Sequence, residues 1–342
     1  MRTWPGSASA EGDVAPRSEL PPGGAPPRLP DSARVAITGA GGFVGGRLLG
    51  RLLERDGPTV LALARRSTAR LQRLRGHDRH RLALFDLRHE GALQAAFDDF
   101  APTHVVHLAA LANPRANESD PALARELNVE LCSSVAEAAL AVGAKLLFAS
   151  TAQVYGPSPN PIPETAPLEP RGVYGRTKLE AERRLAEAVQ RGLTAVIARP
   201  FNHAGPGQSE DYALAAFAAR LARGRGDSGR LPVGNLSAAR DFLHVDDVLS
   251  AYELLLLRGQ NGRAYNVCRG SAVTLGELWS GLARRFGYSP GELAQRTFAE
   301  PFLVRPGEPD EVFGDVSRLS ALGFSPAFSI DSLLDDLAAP LL

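Results

Sequence analysis

The stretch Val35-Ala-Ile-Thr-Gly-Ala-Gly-Gly-Phe-Val-Gly45 is the most informative part of the sequence. It starts as an apolar run typical of a buried strand, and Gly39, Gly42 and Gly45 then carry the chain into a helix. Glycines at these places allow a tight turn, let the backbone approach a pyrophosphate and let the helix pack closely on the sheet. The stretch therefore predicts a dinucleotide-binding turn at the start of the fold.

The sequence after this turn alternates β-branched runs with helical stretches, which is typical of βαβ units on a parallel sheet. The predicted strands cover 34–38, 60–64, 82–85, 104–108, 145–150 and 194–198. The predicted helices between them cover 45–55, 90–97, 122–142 and 175–191. Six strands with intervening helices indicate an α/β fold with a doubly wound parallel sheet of the Rossmann type.

The regular alternation ends near residue 200 and divides the chain into a dinucleotide-binding domain, 33–200, and a smaller C-terminal lobe of mixed α/β structure. We assign 201–237 and 267–342 to this lobe and expect it to bind the substrate. Residues 238–266 return to a strand and a helix and are expected to rejoin the first domain. Residues 1–32 are predicted to form a disordered tail, because the first thirty contain seven prolines and four glycines.

Composition excludes several classes of function. The 38 basic and 38 acidic residues cancel, so we expect no nucleic-acid partner and no membrane partner held by a broad positive field. No apolar run approaches the roughly 20 residues of a membrane-spanning helix. Cys132 and Cys268 lie far apart without a CxxC motif, so no metal site is expected. The tail has no apolar core of a secretory signal, and we expect a cytoplasmic protein.

The end of the second predicted strand bears on the choice of cofactor. About 25 positions after Gly39, where an Asp or Glu would bind the ribose hydroxyls of NAD, the sequence reads Ala64-Arg65-Arg66. A guanidinium there can pair with a 2′-phosphate, which favours NADP(H) and leaves NAD(H) as the alternative. Asp86, just after the third predicted strand, is placed to meet the adenine edge, although an Asp there could also form a turn.

Two further motifs carry chemistry: Ser150-Thr-Ala-Gln-Val-Tyr-Gly156 at a strand end, and Tyr174-Gly-Arg-Thr-Lys178 at the head of a helix. A Tyr and a Lys four residues apart lie on one face of a helix. We expect the ammonium to lower the phenol pKa from its usual value of ~10. Lys178 is one of only two lysines in the chain, so this spacing is improbable by chance.

These motifs resemble the extended short-chain dehydrogenases/reductases that act on nucleotide sugars, over about residues 33–342. The resemblance implies that Thr151, Tyr174 and Lys178 form the catalytic set, and that Asn128 supports it from a helix. Tyr174 and Lys178 would also touch the cofactor. The segment His107-Leu-Ala-Ala110 would line the nicotinamide. The remaining implied cofactor contacts are Gly39, Gly42, Phe43, Val44, Gly45, Arg65, Arg66, Asp86, Leu87, Leu108, Ala109 and Ala110.

The second half of the chain resembles GDP-4-keto-6-deoxy-D-mannose reductases. The similar segments are Arg199-Pro-Phe-Asn-His-Ala-Gly-Pro-Gly-Gln208, Val233-Gly-Asn-Leu-Ser-Ala-Ala-Arg-Asp-Phe242, Tyr265-Asn-Val267, and Arg305-Pro306 followed by Gly314-Asp315. The resemblance implies Asn202 and Arg240 at the sugar diphosphate, with Arg305 as a second clamp. Asn202 could instead cap a turn, and Arg240 could pair with Asp241 or Asp246. The implied substrate contacts are Thr151, Gln153, Asn202, Val233, Arg240, Arg305 and Glu308.

Gln153 separates the chain from the 4,6-dehydratases of the same superfamily, which place an acidic residue beside the catalytic Thr or Ser. An amide cannot act as their general base. We therefore expect an NAD(P)H-dependent reductase of a nucleotide-linked 4-keto-6-deoxyhexose, which converts GDP-4-keto-6-deoxy-D-mannose to GDP-D-rhamnose. The alternatives are a nucleotide-sugar 4-epimerase with tightly bound NAD and a non-catalytic NADP-binding sensor. A sensor would not need the catalytic set.

A homodimer is the expected assembly. The helices predicted over 122–142 and 175–191 carry Leu127, Leu131, Val135, Leu179 and Leu185 with partly helical spacing, more than one sheet face needs. The resemblance implies that these helices pair with those of a second copy in a four-helix bundle. The alternative is that both helices pack only on their own sheet.

Overall fold

A computed structural model describes residues 28–54, 57–74, 76–89, 91–304 and 309–342. Its strands are β1 (Arg34–Thr38), β2 (Thr59–Ala64), β3 (His80–Leu84), β4 (His104–His107), β5 (Lys145–Ala149), β6 (Ala195–Pro200), β7 (Asn202–Ala204), β8 (Leu231–Val233), β9 (Ala239–Arg240), β10 (Phe242–His244), β11 (Ala264–Val267), β12 (Val273–Thr274), β13 (Thr297–Ala299) and β14 (Glu311–Val312). Seven of them form one sheet in the order β11-β6-β5-β4-β1-β2-β3, with parallel neighbours throughout.

The helices cover both faces of this sheet and build the smaller lobe. They are α1 (Phe43–Leu53), α2 (Ala69–Arg73), α3 (Ala92–Phe100), α4 (Pro114–Ser119), α5 (Pro121–Arg125), α6 (Leu131–Ala141), α7 (Val173–Gln190), α8 (Ala213–Arg223), α9 (Val245–Arg258), α10 (Leu275–Arg285), α11 (Pro290–Arg296), α12 (Ser317–Ser320) and α13 (Ile330–Ala338). Short 3₁₀ turns cover Ala152–Val154, Pro301–Leu303 and Ala339–Leu341, and a π-helical turn covers Glu126–Glu130.

Side chains of the buried strands alternate between two cores, one on each face of the sheet. Val35 and Ile37 pack with the apolar faces of α1 and α9, whereas Ala36 packs on the other face with α3, α6 and α7. This alternation follows from the two-residue period of a strand. A central parallel sheet with helices on both faces confirms the predicted Rossmann-type α/β fold.

The chain leaves the sheet after β6 and later returns to it. Helix α9 packs on the same face as α1, and β11 adds the edge strand beside β6. The intervening and following segments form a separate core around α8, α10 and α13, in which Trp279 meets Phe217 edge to face at 5.1 Å between ring centroids. None of the helices in the described ranges is both long enough and apolar enough to cross a membrane.

One expectation about local structure needs correction. Leu29 is buried in the core beside Val35, so the ordered chain begins before residue 33; residues 1–27 of the predicted tail lie outside the described residues.

The helix predicted over 122–142 is present as α5, the π-helical turn and α6 in unbroken succession, with helical dihedral angles at both junctions. Nothing in the sequence indicated the π-helical turn inside this helix.

The apolar spacing that suggested a homodimer is explained by packing within the chain. Leu131, Val135, Leu179 and Leu185 are all buried. The outer surface of α5 to α7 instead carries ion pairs, which join Arg125 to Glu130 and Glu180, and Arg191 to Glu137. The homodimer stays a prediction that these side chains do not support.

Candidate active site

The glycine turn lies between β1 and α1 and presses against the loop that follows β4. Gly39 has a φ of 71°, and a Cβ there would lie 2.8 Å from the backbone nitrogen of Ala109. Only glycine fits this left-handed position and this close approach. Gly42 is the exposed N-cap of α1, Phe43 and Val44 are half-buried in its first turn, and Gly45 is buried. The turn therefore offers the N-terminus of α1 to an anion.

A buried Thr–His pair holds this turn to the end of β4. The Thr38 hydroxyl accepts the N–H groups of Leu108 and Ala109, each at 3.2 Å, and forms a hydrogen bond with Nδ1 of His107 at 2.7 Å. Burial lowers the pKa of His107 to about 3, so the imidazole is neutral near pH 7. Leu108, Ala109 and Ala110 are half-buried beside the glycines, as the predicted nicotinamide lining requires.

The predicted ribose and adenine contacts lie at the ends of β2 and β3. Arg65 and Arg66 are exposed, and their loop packs on the glycine turn through Thr68, whose methyl group would lie 3.4 Å from a Cβ at Gly41. The carboxylate of Asp86 binds the Arg88 guanidinium at 2.6 and 3.0 Å, which lowers the pKa of Asp86 well below its usual range. Leu87, the next predicted contact, is half-buried and packs against the core under α3.

The three predicted catalytic residues converge where β5 ends and α7 begins. Thr151 lies two residues after the end of β5, is buried, and its hydroxyl accepts the N–H of Gln153 at 3.2 Å. Tyr174 is half-buried in the first turn of α7, with Lys178 one turn further on. A Cβ at Gly175 would collide with the carbonyl oxygen of Gln153, so this glycine lets α7 approach the turn after β5. Gln153 itself is exposed.

The contacts of Lys178 differ from the expected pairing with the phenol. Its Nζ donates to the carbonyl of Ala149 at 2.7 Å and lies 4.6 Å from the ring centroid of Phe148. Burial raises the pKa of Tyr174 above its usual range, with a smaller contribution from the Tyr212 phenol. The expectation that the ammonium lowers this pKa is therefore wrong, because loss of water outweighs any effect of Lys178 on the phenol.

Asn128 lies in the π-helical turn and links three segments of the site. Its Oδ1 accepts the N–H of Leu111 at 2.8 Å, and its Nδ2 donates to Asn117 Oδ1 and to Thr177 Oγ1, both at 3.0 Å. Thr177 in turn donates to the carbonyl of Tyr174 at 2.9 Å. Single π-helical turns often occur at functional sites, and this one directs a buried amide at the catalytic helix.

The predicted substrate contacts are more scattered. Asn202 is exposed in β7, and its Nδ2 donates to the carbonyl of Asp241 at 3.3 Å. Arg240 is buried in β9 and donates to the carbonyls of Ala239 and Asp310 at 2.7 and 3.3 Å. The side chain of Val233 packs in the core of the smaller lobe and is not available to a substrate. Arg305 and Glu308 lie outside the described residues.

Asp241, which the sequence offered only as a partner for Arg240, has another role. Its buried carboxylate accepts the backbone N–H groups of Arg269, Gly270 and Gly314 at 2.7, 2.9 and 3.5 Å. Burial raises its pKa to about 6, against the opposing effect of these hydrogen bonds. It thereby ties β10 to two loops of the smaller lobe. The carboxylate of Asp246 binds Arg47 instead, at 2.8 Å.

Comparison with known proteins agrees with this geometry. Residues 35–268 match the model of the NAD dependent epimerase/dehydratase family. The chain belongs to this family. A curated relative, the GDP-6-deoxy-D-mannose reductase of Pseudomonas aeruginosa, is 31% identical over 310 residues, which cover 88% of this chain and 94% of the relative. The prediction of an NAD(P)-dependent oxidoreductase is confirmed at the level of the epimerase/dehydratase family.

Two solved structures show how closely the fold follows the epimerase/dehydratase family. The structure of RMD from Pseudomonas aeruginosa complexed with NADPH has a TM-score of 0.73 and 30% identity, and the match covers 91% of this chain and 99% of that one. The UDP-glucose 4-epimerase of Thermus thermophilus in complex with NAD has a TM-score of 0.76 and 29% identity, over 89% of this chain and 98% of that one. Both nicotinamide cofactors therefore occur on this fold.

The residues of the glycine turn fit the dinucleotide that the family implies. Gly39 forms a cradle that a Cβ would fill, and the exposed N-cap Gly42 opens the N-terminus of α1 to a pyrophosphate. Leu108 to Ala110 would contact the nicotinamide end, beside Thr151 and Tyr174. Bound there, the nicotinamide would supply the hydride for carbonyl reduction.

Proposed function

We propose that the chain reduces the C4 carbonyl of a nucleotide-linked 4-keto-6-deoxyhexose, with GDP-4-keto-6-deoxy-D-mannose as substrate and GDP-D-rhamnose as product. The observation that carries the proposal is the convergence of Thr151, Tyr174 and Lys178 at the same sheet edge as the glycine turn. Ligands of open α/β sheets bind at this carboxyl edge. The similarity to the GDP-6-deoxy-D-mannose reductase of Pseudomonas aeruginosa supports the choice of sugar.

Each catalytic side chain has a separate task in this proposal. The raised pKa of Tyr174 keeps the phenol neutral near pH 7, which is the form that can donate a proton to the C4 oxygen. Thr151 would donate a hydrogen bond to the same oxygen from the end of β5. Lys178 holds the carbonyl of Ala149 and thereby the strand end beside the carbonyl carbon of the substrate. Gln153 has no carboxylate to remove a proton for dehydration.

We further propose that NADPH is the preferred cofactor. The end of β2 offers Arg65 and Arg66 to solvent, on a loop that packs against the glycine turn. Two guanidinium groups suit a 2′-phosphate, whereas the ribose hydroxyls of NADH would favour a carboxylate. We keep Asp86 as the proposed adenine contact, although its carboxylate also binds the Arg88 guanidinium.

The test offers the purified chain four combinations, GDP- or dTDP-linked 4-keto-6-deoxyhexose with NADPH or NADH. We expect stoichiometric loss of nicotinamide absorbance with the GDP sugar and NADPH, and an NMR spectrum of the product that shows a hydroxyl at C4. Turnover confined to the dTDP sugar would refute the choice of nucleotide, and no turnover in any combination would refute the reductase.

A 4-epimerase is the second candidate, because UDP-glucose 4-epimerase from Thermus thermophilus has the same fold with NAD bound. It would oxidise and then reduce C4 without net use of added cofactor. The distinguishing observations are NAD that copurifies with the chain and epimerised sugar without consumption of NADPH.

The assembly is tested separately from the chemistry. The helix pair α6 and α7 was expected to join two copies, and light scattering at low micromolar concentration measures the mass in solution. A dimer would support the four-helix bundle between two copies, even though the apolar side chains of these helices are buried within one chain. A monomer would refute this bundle.

A further inference from the structure

A buried ion pair lies directly behind the catalytic strand end. Glu182 of α7 binds Arg199 of β6 through two contacts, of 2.7 Å to Oε2 and 3.0 Å to Oε1. The side chains are only 2% and 4% exposed. The hydroxyl of Ser150 donates to Glu182 Oε1 at 2.5 Å. A carboxylate removed this far from water must be paired, and here it is satisfied from two neighbouring strands.

Helix α7 therefore binds the end of β5 at two consecutive residues. Lys178 Nζ donates to the carbonyl of Ala149, and Glu182, one turn later on the same helix face, accepts from Ser150. The next residue in the chain is Thr151. The two bonds thus fix how the strand end lies relative to the helix that carries Tyr174.

The ion pair also connects the site to the rest of the sheet. Arg199 donates to the Tyr155 hydroxyl at 3.1 Å, and this hydroxyl donates to Asn266 Oδ1 at 2.6 Å. Asn266 belongs to β11, the edge strand that the returning chain supplies. The position of Glu182 is therefore set by β6 and β11, the two strands that lie in succession on one side of β5.

The titratable and aromatic groups around Lys178 belong to three other elements and to its own helix. Glu182 lies on α7, the neutral His107 on β4, the Phe148 ring on β5 and the buried Cys132 on α6. Burial lowers the pKa of Lys178 to about 8, and Cys132 and, to a smaller extent, Glu182 oppose this effect. Loss of the Glu182 charge would lower the pKa further, toward deprotonation near neutral pH.

We propose that Glu182 is a positioning residue of the active site, which through Ser150 aligns the strand end that carries Thr151 with the helix that carries Tyr174 and Lys178. The proposal rests on the proposed roles of Thr151, Tyr174 and Lys178. One consequence is nevertheless measurable without any substrate, because loss of the Glu182 charge changes the surroundings of Lys178, one turn away on the same helix face.

Lysine NMR gives that measurement, since the chain contains only Lys145 and Lys178. The full chain is labelled with 13Cε-lysine, and the two signals are assigned with Lys145→Arg. We expect Glu182→Gln to lower the titration midpoint of Lys178 by about one pH unit. Glu180→Gln is the matched control, because Glu180 lies on the same helix but pairs with Arg125 near the surface. An unchanged Lys178 midpoint in Glu182→Gln would overturn the proposal.

Ser150→Ala tests the alignment itself, since it keeps the Glu182–Arg199 pair and removes only the strand contact. We expect kcat to fall about tenfold while the affinity for NADPH and the Lys178 midpoint stay at wild-type values. A wild-type kcat would overturn the alignment role of Glu182. If Glu182→Gln does not fold, the kcat of Ser150→Ala alone decides the proposal. A wild-type chain that reduces no keto sugar would refute the proposed function, while the lysine titration still decides the role of Glu182.

Discussion

The two halves of the molecule hold their candidate site residues in different ways. In residues 33–200, here the nucleotide half, the glycines, Thr151, Tyr174 and Lys178 lie where a strand meets a turn or a helix. In the C-terminal lobe, 201–237 and 267–342, and in the adjoining β9, the implied substrate contacts that the structure describes are Asn202, Val233 and Arg240, each on a strand of two or three residues. One of these contacts, Val233, is part of a core. The motif residues thus come together at one sheet edge, whereas the single residues lie on separate short strands.

The difference has a physical origin. A glycine turn or a Tyr-Lys pair on a helix is fixed by backbone geometry over a few residues. The position of Arg240 depends on the pairing of β9 with β12 and β14, in which Arg240 lies opposite Val273 and Val312, 33 and 72 positions later. The following predictions test this contrast, from the largest expected effect to the smallest.

Tyr174→Phe should give the largest loss, because it removes the only proton donor assigned to the nucleotide half. We expect kcat to fall roughly 1000-fold, within the range for a lost general acid, while the Kd for NADPH stays within about twofold. Steady-state kinetics and cofactor fluorescence measure the two effects. Tyr288→Phe is the control, since its hydroxyl binds the carbonyl of Leu221 in the other lobe. Near-normal kcat in Tyr174→Phe would contradict the assignment.

Arg240→Ala tests the C-terminal lobe in the same assay. If its guanidinium binds the diphosphate, the loss should cost on the order of 2 to 5 kcal/mol of substrate binding, seen as a higher KM with a smaller change in kcat. Arg284→Ala, an exposed arginine on α10, serves as the control. An unaltered KM would assign Arg240 to structure and would leave the lobe without a demonstrated substrate contact.

Asp241→Ala tests whether the same lobe depends on a buried carboxylate. Three backbone N–H groups lose their acceptor, and we expect a loss of roughly 2 to 3 kcal/mol in the free energy of unfolding.

The folded pKa of Asp241 is raised from 3.8 to about 6, so the folded state binds the proton more tightly than the unfolded state. The stability that this linkage contributes is complete below about pH 4 and is lost as the pH rises through 6. The difference between wild type and variant should therefore shrink over this window. Urea unfolding at several pH values measures it, and a constant difference would contradict the buried, raised pKa.

The Arg65→Ala/Arg66→Ala variant should have the smallest effect, because both side chains are exposed. We expect the ratio of kcat/KM for NADPH over NADH to fall roughly tenfold. Arg183→Ala/Arg184→Ala removes an adjacent exposed pair from α7 and is the matched control. An unchanged ratio in the first variant would show that the end of β2 does not select the cofactor.

Much of the fold was predictable from periodicity. The strand over 34–38 coincides with β1, and the other five predicted strands overlap β2 to β6 with small shifts at their ends. The π-helical turn within 122–142 was not predictable from periodicity. The Asn128 amide in this turn binds Asn117 and Thr177, which lie 11 and 49 residues away in sequence.

The site was predictable where a motif carried it. The shared helix face of Tyr174 and Lys178 followed from spacing, and their grouping with Thr151 followed from the resemblance. The pKa of the phenol did not follow from either, because burial depends on the whole fold. Glu182 had a readable signal, since it lies one turn after Lys178 on the same helix face. Its buried partner Arg199 begins the segment that resembles the GDP-4-keto-6-deoxy-D-mannose reductases, but no contact was predicted for its side chain.

The central claim is that this chain reduces a nucleotide-linked keto sugar at C4 with Tyr174 as the proton donor. The most direct test incubates the wild-type chain with GDP-4-keto-6-deoxy-D-mannose and NADPH that carries deuterium at the transferable C4 position. The claim predicts one deuterium at C4 of the sugar for each NADPH oxidised, in a single configuration, and none with Tyr174→Phe. Epimerised sugar without deuterium, or NADPH left unoxidised, would contradict it.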